Sequence, residues 1–242
     1  PTLEQVRKLM DAWDLEAARA ALQRMPKSAQ TVALGKALGA LDREVVRWQA
    51  ALIDARADLR AGRPKEARQQ AFALMNELVI RGYPLLGDFA RKALALYVEA
   101  DAAERARSLE SLLRYAQKAV AEGDLVRARA LYEKAVAVDG THAGAHAGLG
   151  RVALLAGQHA AAVEHLGVAV RLAPDQPEYR VLLSMALRAL ERSAEADAYL
   201  QQALGTKSLE LEARRRLSRD AQRLGQDDVV QRLEPRGPTG GR

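Results

Sequence analysis

The sequence predicts an all-α protein built as an α-solenoid, a stack of helical hairpins. Ala, Leu, Arg, Glu, Gln and Lys fill nearly every segment between the Gly and Pro residues, so the helix propensity is high throughout. Residues typical of strands are scarce, with only two Phe and two Trp among 242 residues, and no long stretch alternates apolar and polar side chains. A pattern of residues recurs every 34 positions in the second half of the chain.

The repeat is clearest in three segments that align without gaps, residues 123–136, 157–170 and 191–204. The aligned columns place a large residue between two small ones. They contain Ala128, Ala162 and Ala196; then Tyr132, Leu166 and Leu200; then Ala135, Ala169 and Ala203. Since two helices approach closely only where the contact residue is small, these columns predict tightly packed hairpins.

A second helix is expected before each of these segments, with its own small residue at Ala116, Gly150 or Ser184. Gly123 and Gly157 are predicted to end the first two of these helices as C-cap glycines. Pro174 is expected to stop the helix that ends near Leu172, and Gly140 and Ser208 occupy the equivalent place in the flanking units.

This pattern resembles the tetratricopeptide repeat. The shared features are the period of 34, the small residue at the eighth place, Gly near the fifteenth, Ala at the twentieth and twenty-seventh, and Pro at the thirty-second. Three units match, at residues 109–142, 143–176 and 177–210, which together span 109–210. The departures are Leu112, His146 and Arg180 in place of the fourth-place Trp, and Ala119, Ala153 and Leu187 in place of the eleventh-place Tyr.

Residues 1–108 are expected to form a divergent repeat-like region with long helices. Residues 13–25 and 62–75 echo the second helix of a repeat, but at irregular spacing. A capping box at Thr2 and Gln5 starts the first helix, and Pro26 ends the second. Residues 28–61 lack Pro and form one long helix or two shorter ones, and Pro64 begins the next helix.

Residues 85–122 favour one very long or kinked helix, with Gly87 as its only interruption. Its protruding half needs a partner surface, which is either the helix of residues 28–61 or another copy of the protein. Beyond the repeats, residues 211–233 are expected to form capping helices. The amphipathic segment of the cap begins near residue 206 and carries Leu209, Ala213, Leu217, Ala221 and Leu224, and residues 234–242 are predicted to be a disordered tail.

The sequence predicts no motif for catalysis or for binding a cofactor or a metal. With no Cys, disulfides, thiolate metal sites and cysteine nucleophiles are excluded. Residues 148–153 match the G-x-G-x-x-A dinucleotide pattern, but they fall inside a predicted helix rather than after a strand. His142 and His146 have the spacing of a metal pair but lack a third ligand, and His159 and His165 are interpreted as exposed or half-buried. We therefore expect no enzyme, no cofactor and no metal.

The charge distribution favours a solvated surface over a nucleic-acid interface. The formal charge is +6, yet the 37 basic residues are interleaved with 31 acidic ones. The densest basic cluster, Arg214, Arg215, Arg216, Arg219 and Arg223, lacks aromatic stacking residues. It is interpreted as the outer side of the cap helix, with nucleic-acid binding as the alternative. Asp227 and Asp228 are interpreted as helix-start charges.

The resemblance implies a partner-binding groove on the first helices of the repeats. Its places in this chain are Leu113, Gln117, Val120, Ala147, Arg151, Leu154, Val181, Met185 and Arg188, with Arg215 and Arg219 added from the end helix. An apolar stripe with an arginine border suits a peptide or an amphipathic helix with acidic flanks. The carboxylate clamp of chaperone-binding members is not expected, because Leu113 and Gln117 replace its Lys and Asn.

The expected function is therefore a protein–protein interaction adaptor or assembly scaffold. The alternatives are a basic helical repeat that binds nucleic acid and a structural protein that self-assembles into a homo-oligomer through its long helices; the apolar stripe is alternatively covered by the N-terminal helices. No membrane span is predicted in this chain. Cytoplasmic and periplasmic locations are both compatible, the start at Pro1 suggests a trimmed N-terminus, and the Ala, Arg and Leu bias favours a bacterial origin.

Overall fold

The structure, a computed structural model, describes residues 1–84, 87–205 and 209–234. These residues form twelve helices and no strand, which confirms the all-α prediction. The chain divides into two compact units, Pro1–Ala106 and Arg107–Arg242. The predicted disordered tail beyond residue 234 and the predicted helix stop at Ser208 lie outside the described residues.

The first unit contains α1 (Leu3–Asp11), α2 (Leu15–Gln23), α3 (Ala29–Arg60), α4 (Pro64–Ile80) and the first part of α5 (Asp88–Glu122). Its helix starts follow the local sequence signals. The Thr2 hydroxyl accepts a hydrogen bond from the Gln5 amide at 3.2 Å and the Gln5 side chain accepts one from the Thr2 amide, so the expected capping box is present. The segment that was open between one helix and two is the single helix α3, and α5 is likewise continuous from Asp88.

The core of the first unit is a row of small clusters along α3. Val6 and Ala18 pack near Leu38 at one end, and Ala55 packs with Ala71 and Leu96 at the other. Between them, fully buried Trp48 is the centre of a cluster of four aromatic rings. Its ring centroid lies 5.0 Å from that of Trp13, 5.5 Å from that of Tyr83 and 5.9 Å from that of Phe89. The first part of α5 therefore packs against α3 and α4, one of the two partner surfaces expected for it.

The second unit begins with the end of α5 and continues with α6 (Leu125–Val138), α7 (Ala143–Leu155), α8 (His159–Leu172), α9 (Pro177–Ala189), α10 (Ser193–Gly205), α11 (Leu211–Arg223) and α12 (Asp227–Leu233). The starts of α7, α9 and α11 are 34 residues apart, and so are the starts of α6, α8, α10 and α12. The segment expected only to cap the stack is therefore a fourth hairpin in register with the repeats. Its first helix begins at Leu211, at the residue where the predicted capping helices begin, and buried Leu209 precedes it.

The alanine columns of the sequence occupy equivalent buried positions. Ala128, Ala162 and Ala196 are all 0% exposed, and the column of Ala135 is equally buried. On the facing helix, a Cβ added to Gly150 would lie 2.5 Å from Leu166 Cγ and 3.2 Å from the Ala162 carbonyl oxygen. A Cβ on Gly148 would overlap the Tyr132 ring. The G-x-G-x-x-A match is thus inside α7, where its glycines permit close contact between helices.

The turn inside each hairpin uses one residue in the left-handed region. Gly123, Gly157 and Gly225 have φ of 81°, 74° and 66°, and Glu191 takes the same place with φ of 62°. The predicted C-cap glycines are confirmed at the first two of these positions. Because a side chain in this region meets the backbone, Glu191 adopts its conformation at a cost of roughly 1–2 kcal/mol that the surrounding stack offsets.

Gly150, the residue of α7 that lies closest to α8, gives a stability prediction. Gly150→Ala should lower the free energy of unfolding by about 1–3 kcal/mol, because its methyl group has no room beside Leu166 and the Ala162 carbonyl. The measurement is urea denaturation followed by circular dichroism.

The matched control is Gly167→Ala in α8, where an added Cβ would meet only the end of Arg171 at 3.7 Å. That substitution should raise stability by about 0.5–1 kcal/mol through helix propensity. Equal effects of the two substitutions would contradict the close approach of α7 and α8.

Candidate functional site

The candidate site is a cleft on the first helices of the second unit. It consists of two adjoining depressions that share Gln117, Arg151 and Arg216. The end of α5 forms one wall, α7 and α9 form the floor, and α11 supplies most of the charge. The further lining residues are Val120, Ala121, Tyr132, Gly144, Ala147, Gly148, Glu178, Tyr179, Leu182, Leu217, Arg219, Asp220 and Arg223.

A buried ion pair ties α7 to α11 at the cleft. Arg151 Nε donates to Asp220 Oδ2 at 2.5 Å, and Arg151 Nη2 donates to Oδ1 at 3.0 Å. The Asp220 side chain is 2% exposed and the Arg151 side chain 16% exposed. This two-pronged geometry fixes both side chains, so the shape of the cleft depends on it.

Tyrosine and glutamate side chains surround the rest of the floor. Arg216 of α11 forms an ion pair with Glu178 of α9. Burial raises the pKa of Tyr132, against the opposing effect of Arg151 and Arg216, and burial also raises the pKa of Tyr179, with a further contribution from Glu178. Both phenols therefore stay neutral near pH 7 and remain able to donate a hydrogen bond to an acceptor in the cleft.

Two arginines of α11 leave their charge unpaired at the cleft. Arg219 and Arg223 are exposed, and neither forms an ion pair within the described ranges. Arg151 and Arg216, by contrast, are matched by Asp220 and Glu178. The cleft therefore offers two positive charges to an incoming anionic group.

The residues that the family resemblance placed in a groove divide into four sets. Gln117, Val120, Ala147, Arg151 and Arg219 line the cleft, as the repeat register implies. Leu113 is half-buried against the cluster around Tyr132.

Three further members, Leu154, Val181 and Met185, are 0% exposed. They belong to a core cluster that also contains Leu217 and Ala221 of α11. The Gln226 amide, which follows α11, donates to the Met185 carbonyl oxygen at 3.0 Å. The expected accessible apolar stripe is therefore absent at these three positions, which the core of the second unit buries, and also at Val120, which is 1% exposed.

The last two predicted groove residues, Arg188 and Arg215, do not line the cleft. Arg188 forms ion pairs with Asp197 at 2.8 Å and with Asp228 at 2.7 Å. Arg215 is exposed and lines a separate depression that Leu211 and Leu233 border. Partner binding by the whole predicted set stays a prediction, and the accessible part of it is the cleft.

Sequence reasoning missed Tyr179 and Asp220 as cleft residues. It was also wrong to place Arg216, Arg219 and Arg223 on the outer side of a cap helix, since they line the cleft. The signal was the period itself: Gly148, Leu182 and Arg216 share one column of the 34-residue register. Treating residues 211–233 as a cap rather than as a fourth repeat left that column incomplete.

The histidines lie away from the cleft charges. His142 caps α7 by accepting a hydrogen bond from the Ala145 amide at 3.1 Å, and His146 Nε2 lies 3.0 Å from the Gly140 carbonyl oxygen. The His146 and His165 rings are 6.0 Å apart, and burial, with a smaller contribution from His146, lowers the pKa of His165. Within residues 1–84, 87–205 and 209–234, no three His, Asp or Glu side chains are grouped to hold a metal ion.

Comparison with protein families decides the nature of the repeat. One tetratricopeptide repeat model matches residues 119–186 and a second matches residues 177–208. Residues 119–208 of the chain are tetratricopeptide repeats. Tetratricopeptide repeats are protein–protein interaction modules, so the family supports a scaffold that binds other proteins. No curated protein sequence matches the chain.

Among solved structures, the tetratricopeptide repeat chain is similar to the type III secretion translocator chaperone SycD from Yersinia enterocolitica. The identity is 18% and the TM-score 0.42, over 50% of this chain and 95% of SycD. It is also similar to MamA from Desulfovibrio magneticus RS-1, with 19% identity and a TM-score of 0.40 over 77% of this chain and 90% of that one.

None of the helices in the described ranges has the length and apolar content to span a membrane.

The ion pair across the cleft gives a second prediction. Asp220→Ala should lower the free energy of unfolding by about 3 kcal/mol, because it leaves the largely buried Arg151 guanidinium without its carboxylate. The measurement is again urea denaturation.

Glu195→Ala, which removes the exposed Arg192–Glu195 pair, should leave the free energy of unfolding almost unchanged. The double variant Arg151→Met with Asp220→Leu should recover most of the lost stability, because neither charge then remains buried. An Asp220→Ala variant as stable as Glu195→Ala would contradict a structural role for the pair.

Proposed function

We propose that the protein is a non-catalytic adaptor whose cleft binds an acidic segment of another protein. The family supports protein binding, and the cleft is the concave surface that the first helices of the four hairpins share. The observation that carries the proposal is the pair of arginines, Arg219 and Arg223, that face the cleft without a carboxylate of their own. Asp or Glu side chains of a partner supply the missing charge.

The remaining lining residues suit a peptide rather than a bare ion. Gln117 and Tyr179 offer hydrogen-bonding groups at the cleft, and Ala147 and Leu182 supply apolar floor. A peptide presents backbone carbonyl oxygens to the first kind of group and apolar side chains to the second. The partner segment is therefore an extended or helical stretch that alternates acidic and apolar residues.

Binding of nucleic acid is the competing class for a basic cleft. Two of its arginines already have a carboxylate partner, Arg151 with Asp220 and Arg216 with Glu178. The accessible one of these carboxylates, Glu178, repels a phosphate backbone, whereas a peptide is able to donate an amide hydrogen to it. This mixed charge favours a protein partner.

The test is a fluorescence anisotropy titration with a synthetic peptide of alternating Glu and Leu residues. The variant Arg219→Glu with Arg223→Glu should bind it at least about tenfold more weakly, since two attractive contacts become repulsive. Added salt should weaken the wild-type interaction.

The matched control is Arg127→Glu, an exposed arginine on α6 outside the cleft, which should bind as wild type does. A peptide of alternating Lys and Leu residues should not bind. Equal affinity of the double variant and Arg127→Glu for the acidic peptide would refute the cleft, and tighter binding of single-stranded DNA than of the peptide would favour the nucleic-acid class.

A further inference from the structure

Helix α3 of the first unit carries apolar residues on two opposite faces. One face holds Trp48, Leu52 and Ala55, which pack against α4 and α5. The other holds Val46, Ala50, Ile53 and Ala57, which we call the outer seam. Val46 is 63% exposed and Ile53 67% exposed, and both alanines are exposed as well. A helix that is apolar on both sides is one that packs on both sides.

The spacing within the outer seam identifies the kind of surface that fits it. Successive members are four, three and four residues apart, which is the spacing of a coiled-coil seam. Arg43 and Arg60 bound it at the two ends. The Arg43 guanidinium lies over Gly39 of the same helix, 3.9 Å from an added Cβ there, so it turns away from Val46. A second helix laid along α3 would cover the seam.

We propose that the outer seam pairs with the outer seam of a second copy of this chain, with the two α3 helices antiparallel. A twofold axis between Ala50 and Ile53 sets Val46 against the partner's Ala57, and Ala50 against the partner's Ile53. Each layer then joins one large and one small side chain, which fills space evenly and lets the helices approach closely. A parallel pairing would set Ala50 against the partner's Ala50 and leave a gap.

Charges beside the outer seam match the same arrangement. Asp54 is exposed, and it has no ion-pair partner among the residues that the structure describes. Arg47 is 57% exposed and forms an ion pair with Glu77 of its own chain. Antiparallel pairing brings Asp54 beside the partner's Arg47, and the twofold axis generates this contact twice. Arg47 then lies between two carboxylates.

Disulfide trapping tests the pairing directly, because the chain has no Cys of its own. Val46→Cys and Ala57→Cys are purified separately as the full chain, mixed and mildly oxidised. A covalent dimer should form in the mixture and not with either variant alone. In the antiparallel pair residue 46 lies opposite residue 57 of the partner, whereas the two copies of residue 46 are about 16 Å apart along the axis.

Light scattering supplies the second readout. Wild type should have twice the mass of the 26.3 kDa chain, and Ile53→Glu should have the mass of one chain. Val126→Glu, at a residue 84% exposed on α6, should keep the dimer mass. Circular dichroism should show that all variants are folded.

Three results would overturn the proposal. Covalent dimers of Val46→Cys alone would show parallel pairing. A wild-type monomer at the highest accessible concentration, with no covalent dimer in the mixture, would show that the seam takes another partner or none. A dimer that survives Ile53→Glu would show that the chains associate through a different surface.

Discussion

The close approach of paired helices at small residues is the constraint on which the second unit depends. The alanines of the Ala128 column have no exposed surface in the three repeats that contain them, and Gly150 lets α8 come into contact with the backbone of α7. If these side chains were larger, the helices of a hairpin would move apart and successive hairpins would lose their common spacing. The alignment of the first helices, and with it the cleft, follows from this spacing.

Much of this architecture could be predicted from the sequence, because helices that pack periodically require small residues at a constant spacing along the chain. The alanine columns, the turn glycines at Gly123 and Gly157 and the uninterrupted α5 were all predictable from local rules. The accessible surface of the groove was not predictable from these rules. Periodicity shows which face of a helix a residue occupies, but whether another element covers that face depends on tertiary contacts. Met185 occupies the same column as Gln117 and Arg151, yet α11 and Gln226 bury it.

The first unit solves the packing problem differently. Its alanine column has only two members, Ala18 and Ala67, and three aromatic rings around Trp48 hold α3 to its neighbours. Large rings tolerate irregular spacing between helices, which explains why the echoes of the repeat in this region have no constant period. The sequence predicted its long helices from the absence of Pro, but it did not show that the described residues leave one face of α3 uncovered.

The contact between Arg151 and Asp220 skips the third hairpin, since α7 belongs to the second and α11 to the fourth. In most linear arrays each module touches only its neighbours, so the terminal module frays independently of the interior. Here detachment of the fourth hairpin leaves the Arg151 guanidinium, which lies two hairpins away, without its carboxylate partner Asp220. The last module therefore unfolds cooperatively with the middle of the array, and the second, third and fourth hairpins keep one fixed arrangement.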